Sequence, residues 1–139
     1  MIRFELVTLS GVKYSEDVAE IILPTLDGYI GVLTGHMPLV SVASEGVISV
    51  RKNAGDPDDF REYFASQGGV IEVANNTLRV LVDEADHADD ISHAEAQAAH
   101  ERAIKMKAEA KDEISLEKAQ ALVDRTAVRL QVAGIRRKQ

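Results

Sequence analysis

The sequence predicts an α+β chain in two parts: a β-rich body over residues 1–85, a short hinge at 86–90, and an antiparallel two-helix hairpin over 91–139. Three observations predict it. Short alternating or β-branched runs follow one another to residue 83, punctuated by Gly, Pro, Asn and Asp. From Ile91 the apolar period changes from two to three and four. Charge divides in the same place. Residues 1–90 carry 6 Lys/Arg against 16 Asp/Glu, whereas residues 91–139 carry 10 against 7, so an acidic body precedes a basic hairpin.

The elements follow in order. Ile2, Phe4 and Leu6 alternate with Arg3 and Glu5, the period of a half-buried strand. Val18–Leu23 is a β-rich run ending at Pro24, and Asp27-Gly28 turns the chain into Ile30–Leu33. Leu39–Ala43 and Val47–Arg51 flank Gly46. Lys52–Asp59, with Gly55, Pro57 and three aspartates, reads as an exposed hairpin loop without the ligand spacing of a calcium site. Phe60–Ser66 runs into Gly68-Gly69, and Val70–Ala74 and Thr77–Val82 are joined by Asn75-Asn76, residues that tolerate the positive φ of a tight hairpin. Many short strands at close spacing predict a sandwich or a barrel.

The hinge sits in an acidic joint, Asp83–Asp90. In the first helix Ala96, Ala99, Ala103, Met106 and Ala110 form one seam; in the second, Leu116, Ala119, Val123, Thr126, Leu130 and Ala133 form the other. Lys111–Ile114 is the connection, Ser115 a candidate cap, and Gly134 a candidate stop with Arg136, Arg137 and Lys138 trailing at the negative end of the dipole.

Without cysteine the chain has neither disulfides nor thiolate metal sites. No apolar run is long enough for a membrane span and no signal-peptide pattern opens the chain, so a soluble intracellular protein is expected. The acidic body disfavours nucleic acid. His93 and His100 are two turns apart, too far to share a metal unaided. No serine sits in a nucleophile elbow, and Gly28-Tyr29-Ile30-Gly31 lacks the Lys and Ser/Thr of a phosphate loop. No catalytic, cofactor or metal residues are therefore expected. A β-sandwich ligand-binding module with an oligomerising hairpin is the alternative reading.

Residues 23–39, Leu-Pro-Thr-Leu-Asp-Gly-Tyr-Ile-Gly-Val-Leu-Thr-Gly-His-Met-Pro-Leu, are followed by Gly46-Val47-Ile48, Gly68-Gly69-Val70-Ile71-Glu72-Val73 and Leu78–Ala85. Ala98–Ala103 and Ala121–Leu130 continue the series in the helices. In this order the motifs resemble the epsilon subunit family of F-type rotary ATP synthases over nearly the whole chain. The resemblance implies a flattened sandwich of about ten strands followed by the hairpin. It further implies a non-catalytic central-stalk subunit, peripheral at the cytoplasmic face of a bacterial membrane and membrane-associated only through its complex. The implied partners are the gamma subunit, the ring of c subunits, and the beta and alpha subunits.

The turn at Asp27, Gly28 and Tyr29 looks like the ring-facing one, with Tyr29 where relatives often have an acidic residue. Gly31, Gly35, His36, Pro38, Gly68 and Gly69 are expected to be structural. Lys118, Arg125, Arg129, Arg136 and Arg137 look like the cations that meet beta and restrain hydrolysis. Some relatives bind ATP through an Ile-Asp-x-x-Arg-Ala pattern. The matching Ile91, Ser92, Glu95 and Ala96 are degenerate, with a capping-box spacing from Ser92 to Glu95.

Overall fold

A computed structural model describes residues 1–138, with side chains through Ile135; the candidate contacts at the Arg136 and Arg137 side chains lie outside the described residues. The chain divides into two compact units, Met1–His87 and Ala88–Gln139.

The first unit holds ten strands: β1 (Ile2–Thr8), β2 (Gly11–Val18), β3 (Glu20–Thr25), β4 (Gly28–Leu33), β5 (Leu39–Ala43), β6 (Gly46–Arg51), β7 (Glu62–Ser66), β8 (Gly69–Ala74), β9 (Thr77–Val82) and β10 (Ala85–His87). They form one hydrogen-bonded network in the order β10-β7-β6-β3-β5-β8-β9-β1-β2, with β4 on the free edge of β3. All pairings are antiparallel except β1 with β9. The result is the expected sandwich, close to a closed barrel.

Three strand pairs are single chains bent from one layer to the other. β5 passes into β6 at Ser44-Glu45, β7 into β8 at Gln67-Gly68, and β9 into β10 at Asp83-Glu84. The bends lie side by side, because Ala43 pairs with Gly69, Gly69 with Val82, Gly46 with Ser66, and Ser66 with Ala85. A Cβ on Gly69 would stand 2.0 Å from the Leu81 carbonyl oxygen, so only glycine lets the bent strands come this close.

The core is the inward half of each alternation. Ile2, Phe4 and Leu6 are fully buried with Ile21, Leu23, Ile48, Phe64, Ile71, Leu78 and Val80. Each such side chain contributes roughly 1.5–3 kcal/mol relative to exposure. Phe4, Tyr14, Phe64 and His87 form a continuous ring contact series at centroid spacings of 5.4, 5.6 and 5.0 Å. Asn75 and Asn76 both take positive φ, 52° and 57°, as the hairpin requires.

Several elements differ from the sequence expectation. β2 occupies Gly11–Val18, where no strand was read, because only Tyr14 and Val18 turn inward from this edge strand. Pro24 lies inside β3; the ladder to β6 stops at Ile22–Ser49, so the missing N–H costs no bond there. Ala85–His87, placed at the end of the body and the start of the hinge, form β10 against β7. The segment Asp58–Phe60 is a 3-10 turn. It is held by ion pairs of Asp58 with Arg51 and Arg61, and Arg61 also pairs with Glu20.

The second unit opens with a 3-10 turn, Ala88–Asp90, followed by α1 (His93–Glu109) and α2 (Glu113–Lys138). Ala96, Ala103, Ala119, Thr126, Val132 and Ala133 are buried, whereas Met106 is half exposed rather than seated in the seam. Asp112, not Ser115, caps α2: its carboxylate accepts the Ser115 N–H at 2.7 Å. Gly134 does not stop α2, which runs on to Lys138. Among the described residues no helix is long and apolar enough to cross a membrane, and no group of three or more His, Asp or Glu is placed to hold a metal ion.

Candidate functional site

What the residue pattern builds is surface. On the outer face of one layer, Val42 pairs with Val70, Val70 with Leu81, Leu81 with Val7, and Val7 with Val12. Ladder partners point to the same side, so these five residues form one row across β5, β8, β9, β1 and β2. Four strand spacings make the row about 19 Å long. Val12, Val42, Val70 and Leu81 are 66%, 50%, 44% and 43% exposed. Val40 lies two residues before Val42 on the same face, and Met37 stands before it; both are more than 70% exposed. An aligned apolar row of this kind marks an interaction surface, unlike isolated exposed apolar residues.

The row meets an uncharged flank. Residues 28–44 contain no Asp, Glu, Lys or Arg, in a chain that is 28% charged. They supply β4 and β5, and β4 keeps one unpaired edge. Exposed strand edges are ordinarily blunted by charge or proline, as β2 is by Lys13, Glu16 and Asp17. The sequence reading missed this surface. Its signal was Val40 and Val42 on the outward half of Leu39–Ala43 and Leu81 on the outward half of Thr77–Val82, apolar residues at positions that normally carry polar ones.

At the β3–β4 turn, Thr25 pairs with Gly28 and leaves Leu26 and Asp27 as a two-residue tip. The Thr25 hydroxyl donates to the Gly28 carbonyl at 2.6 Å and accepts the Asp27 N–H at 3.2 Å. Gly28 takes a φ of 119°, open only to glycine. Leu26 and Asp27 are exposed. Tyr29 presents its ring to solvent, but its hydroxyl accepts the Val47 N–H at 3.1 Å.

The structural residues divide. Gly35 takes positive φ, and its N–H donates to Asn76 Oδ1 at 2.9 Å. Asn76 also donates through Nδ2 to the Met1 carbonyl, so it ties the turn down more than His36, whose Nδ1 donates only to the neighbouring Met37 carbonyl. Gly68 and Gly69 lie at the bend between β7 and β8, and Pro38 directly precedes β5. Gly31 has neither positive φ nor a close neighbour, so the structure gives no steric reason for glycine there.

Residues 1–88 match the family ATP synthase, Delta/Epsilon chain, beta-sandwich domain. An ATP synthase epsilon chain of Herpetosiphon aurantiacus is 33% identical over 136 residues, covering 98% of this chain and 96% of that protein. One of Chloroflexus aggregans is 35% identical over 134 residues, covering 96% and 93%.

The chain belongs to the ATP synthase epsilon chain family.

Its fold also matches a chain in the Euglena gracilis mitochondrial ATP synthase OSCP/F1/c-ring structure. The TM-score is 0.80 at 23% identity, covering 95% of this chain and 80% of that one. A chain of the Tetrahymena thermophila mitochondrial ATP synthase central stalk/c-ring structure gives a TM-score of 0.63 at 17% identity, covering 96% and 95%.

In this epsilon-family hairpin, Ser92 is the N-cap of α1 and accepts the Glu95 N–H at 3.3 Å. Ile91 and Ala96 are buried, and Glu95 is exposed. An open cleft of ≈ 460 Å³ is lined by Asp90, Ser92, Glu95, Ala99, Arg102 and Arg129 among others. The carboxylates of Asp90 and Glu95 offset the two guanidinium groups, so the cleft offers little net attraction to a phosphate chain. Asp90 and Arg102 were not singled out from sequence. Arg102 follows Glu95 by seven residues, which puts both on one face of α1. On α2, Lys118 and Arg125 are exposed and Arg129 is half buried. His100 Nδ1 and Thr126 Oγ1, 2.9 Å apart, form a polar tie between the two helices.

Proposed function

We propose that this chain is a non-catalytic central-stalk subunit of a rotary ATP synthase. Its sandwich grips the gamma subunit and rests on the ring of c subunits, coupling ring rotation to the catalytic head. Its hairpin restrains ATP hydrolysis. The chain works at the membrane surface through its complex and needs no cofactor of its own. The observation that carries the reading is the apolar row Val42–Val70–Leu81–Val7–Val12 with its uncharged flank, on a chain of the epsilon family. A row of this length suits a permanent partner inside an assembly. Gamma is the partner because the family resemblance assigns it to this unit.

The hairpin reading rests on Lys118, Arg125 and Arg129. Arg125 and Arg129, four residues apart on α2, are spaced to grip carboxylates of a beta subunit together once the hairpin opens at the acidic joint. Arg136 and Arg137 extend the basic run in sequence.

The test is co-purification with gamma. Val42→Asp together with Leu81→Asp places carboxylates on the outward face, where they leave the core untouched. Binding to gamma should weaken by roughly two orders of magnitude, the effect of burying unpaired charge at an interface. Undiminished binding would remove the row from the gamma contact. Deleting residues 114–139 should raise ATP hydrolysis by the assembled complex; no rise would leave the hairpin without a restraining role.

A further inference from the structure

We propose that Tyr29 is a positioning residue that aims the β3–β4 turn, and that the ring contact itself is made by Leu26 and Asp27. The inference rests on the ring-facing reading of this turn and assigns its side chains separate tasks.

The geometry begins with Pro24. β6 pairs with β3 only as far as Ile22–Ser49, so beyond that point the N–H groups of β6 have no ladder partner on β3. The Val47 N–H is one of them. Tyr29 sits across the hairpin from Pro24, and its hydroxyl receives the Val47 N–H at 3.1 Å. The phenol therefore replaces a ladder bond at the place where the strands diverge.

Space for it is reserved by Gly46. A Cβ there would lie 2.8 Å from the Tyr29 hydroxyl and 2.9 Å from Pro24 Cγ. Two further bonds join the same hairpin to the same bend: Ser44 N–H donates to the Pro24 carbonyl at 3.2 Å, and Ser44 Oγ to the Thr25 carbonyl at 3.1 Å. Three bonds thus tie β3 and β4 to the β5–β6 bend and fix where the tip points. Of these three bonds, that of Tyr29 reaches from β4.

With its oxygen anchored on the Val47 N–H, the phenol end is held at the bend. Leu26 is 72% exposed and, like Asp27, occupies the two-residue tip. Asp27 is the only charged residue between Ile21 and Ser44. The partner surface that fits is an apolar residue beside a cation, as a polar loop of a ring subunit can present.

The test uses the assembled complex in inverted membrane vesicles, reading proton pumping per ATP hydrolysed. Tyr29→Phe keeps the ring and removes the hydroxyl. Amide exchange at Val47 in the isolated subunit should rise about fivefold, the equivalent of one hydrogen bond of about 1 kcal/mol. Pumping per ATP should fall about twofold or more, with gamma binding unchanged. Leu26→Cys should cross-link to the ring, with lower yield when Tyr29→Phe is added. Gly46→Ala, which displaces the hydroxyl from the other side, should act alike. Faster exchange at Val47 with unchanged pumping and unchanged cross-linking would overturn the positioning role. Asp27→Lys and Leu26→Asp separate the two levels. If both leave pumping intact and position 26 fails to cross-link, the ring-facing reading itself is wrong. If they uncouple while Tyr29→Phe does not, only the inference about Tyr29 fails.

Discussion

Replacing Thr126 with valine should loosen the hairpin selectively. Thr126 is 5% exposed, and its hydroxyl proton goes to the Leu122 carbonyl at 2.8 Å or the Val123 carbonyl at 3.1 Å. With that proton committed, the oxygen accepts from His100 Nδ1, which must carry hydrogen. Valine has nearly the same shape, so packing survives and the interhelical bond does not. The half-buried imidazole can take water in exchange, which sets the cost near 1 kcal/mol rather than the larger penalty of a sealed donor. That is about a fivefold shift in any equilibrium between closed and open hairpin. The apolar seam cannot mask it, because four of the five buried apolar residues described on α1 and α2, Ala96, Ala103, Ala119 and Ala133, offer only one methyl each. A methyl contributes about 0.8 kcal/mol. Amide exchange across Ala99–Met106 should quicken about fivefold, while β1 and β9 stay protected. If the open hairpin is the restraining form, the assembled complex should also hydrolyse ATP more slowly. Unchanged exchange in α1 would refute the view that the His100–Thr126 bond carries a substantial share of helix docking.

Gly69→Ala should cost at least about 3 kcal/mol in chemical denaturation, since the new methyl meets backbone at Leu81 that cannot swing aside. Acid should release the 52–61 loop. Hydrogen bonds from Arg51, then Arg61, hold the Asp58 carboxyl below its ordinary value. A depressed carboxylate stabilises the fold above its unfolded pKa and loses that contribution as pH falls through the folded one, so loop protection should decline below about pH 4 and stay flat from 5 to 8. Calorimetry with millimolar ATP should show no one-to-one binding, and Ser92→Asp with Glu95→Arg should introduce it; binding by the unaltered chain would contradict the charge balance of the cleft.

What could be read from the sequence followed from periodicity. Ile2, Phe4 and Leu6 declared β1, Asn75-Asn76 declared the β8–β9 hairpin, and the change of period at Ile91 marked the helices. β2 escaped because an edge strand facing water keeps polar residues at positions that a central strand would fill with valine or isoleucine. Pro24 read as a strand end because its missing N–H is harmless only where the ladder to β6 has already stopped, a tertiary fact. Gly134 read as a stop, yet Val132 and Ala133 are buried just before it and α2 continues. The docking row depends on register between strands distant in sequence, such as Val7 with Leu81, which no local window contains. The turn at Asp27 and Gly28 was legible, but Leu26 at its tip was not singled out; nor was the bond between Tyr29 and Val47, because it is made across a bend.

The three bends between β5 and β6, β7 and β8, and β9 and β10 bear on how load travels. In a sandwich whose layers meet only through side chains, shear between the layers is resisted by packing alone. Here three covalent backbones cross from layer to layer side by side, hydrogen-bonded to one another at the crossing. Sliding one layer past the other would have to deform those peptide chains together. A torque applied to the face bearing the Val42–Val12 row therefore reaches the opposite layer through bonded atoms, and the unit should turn as a stiff washer rather than smear.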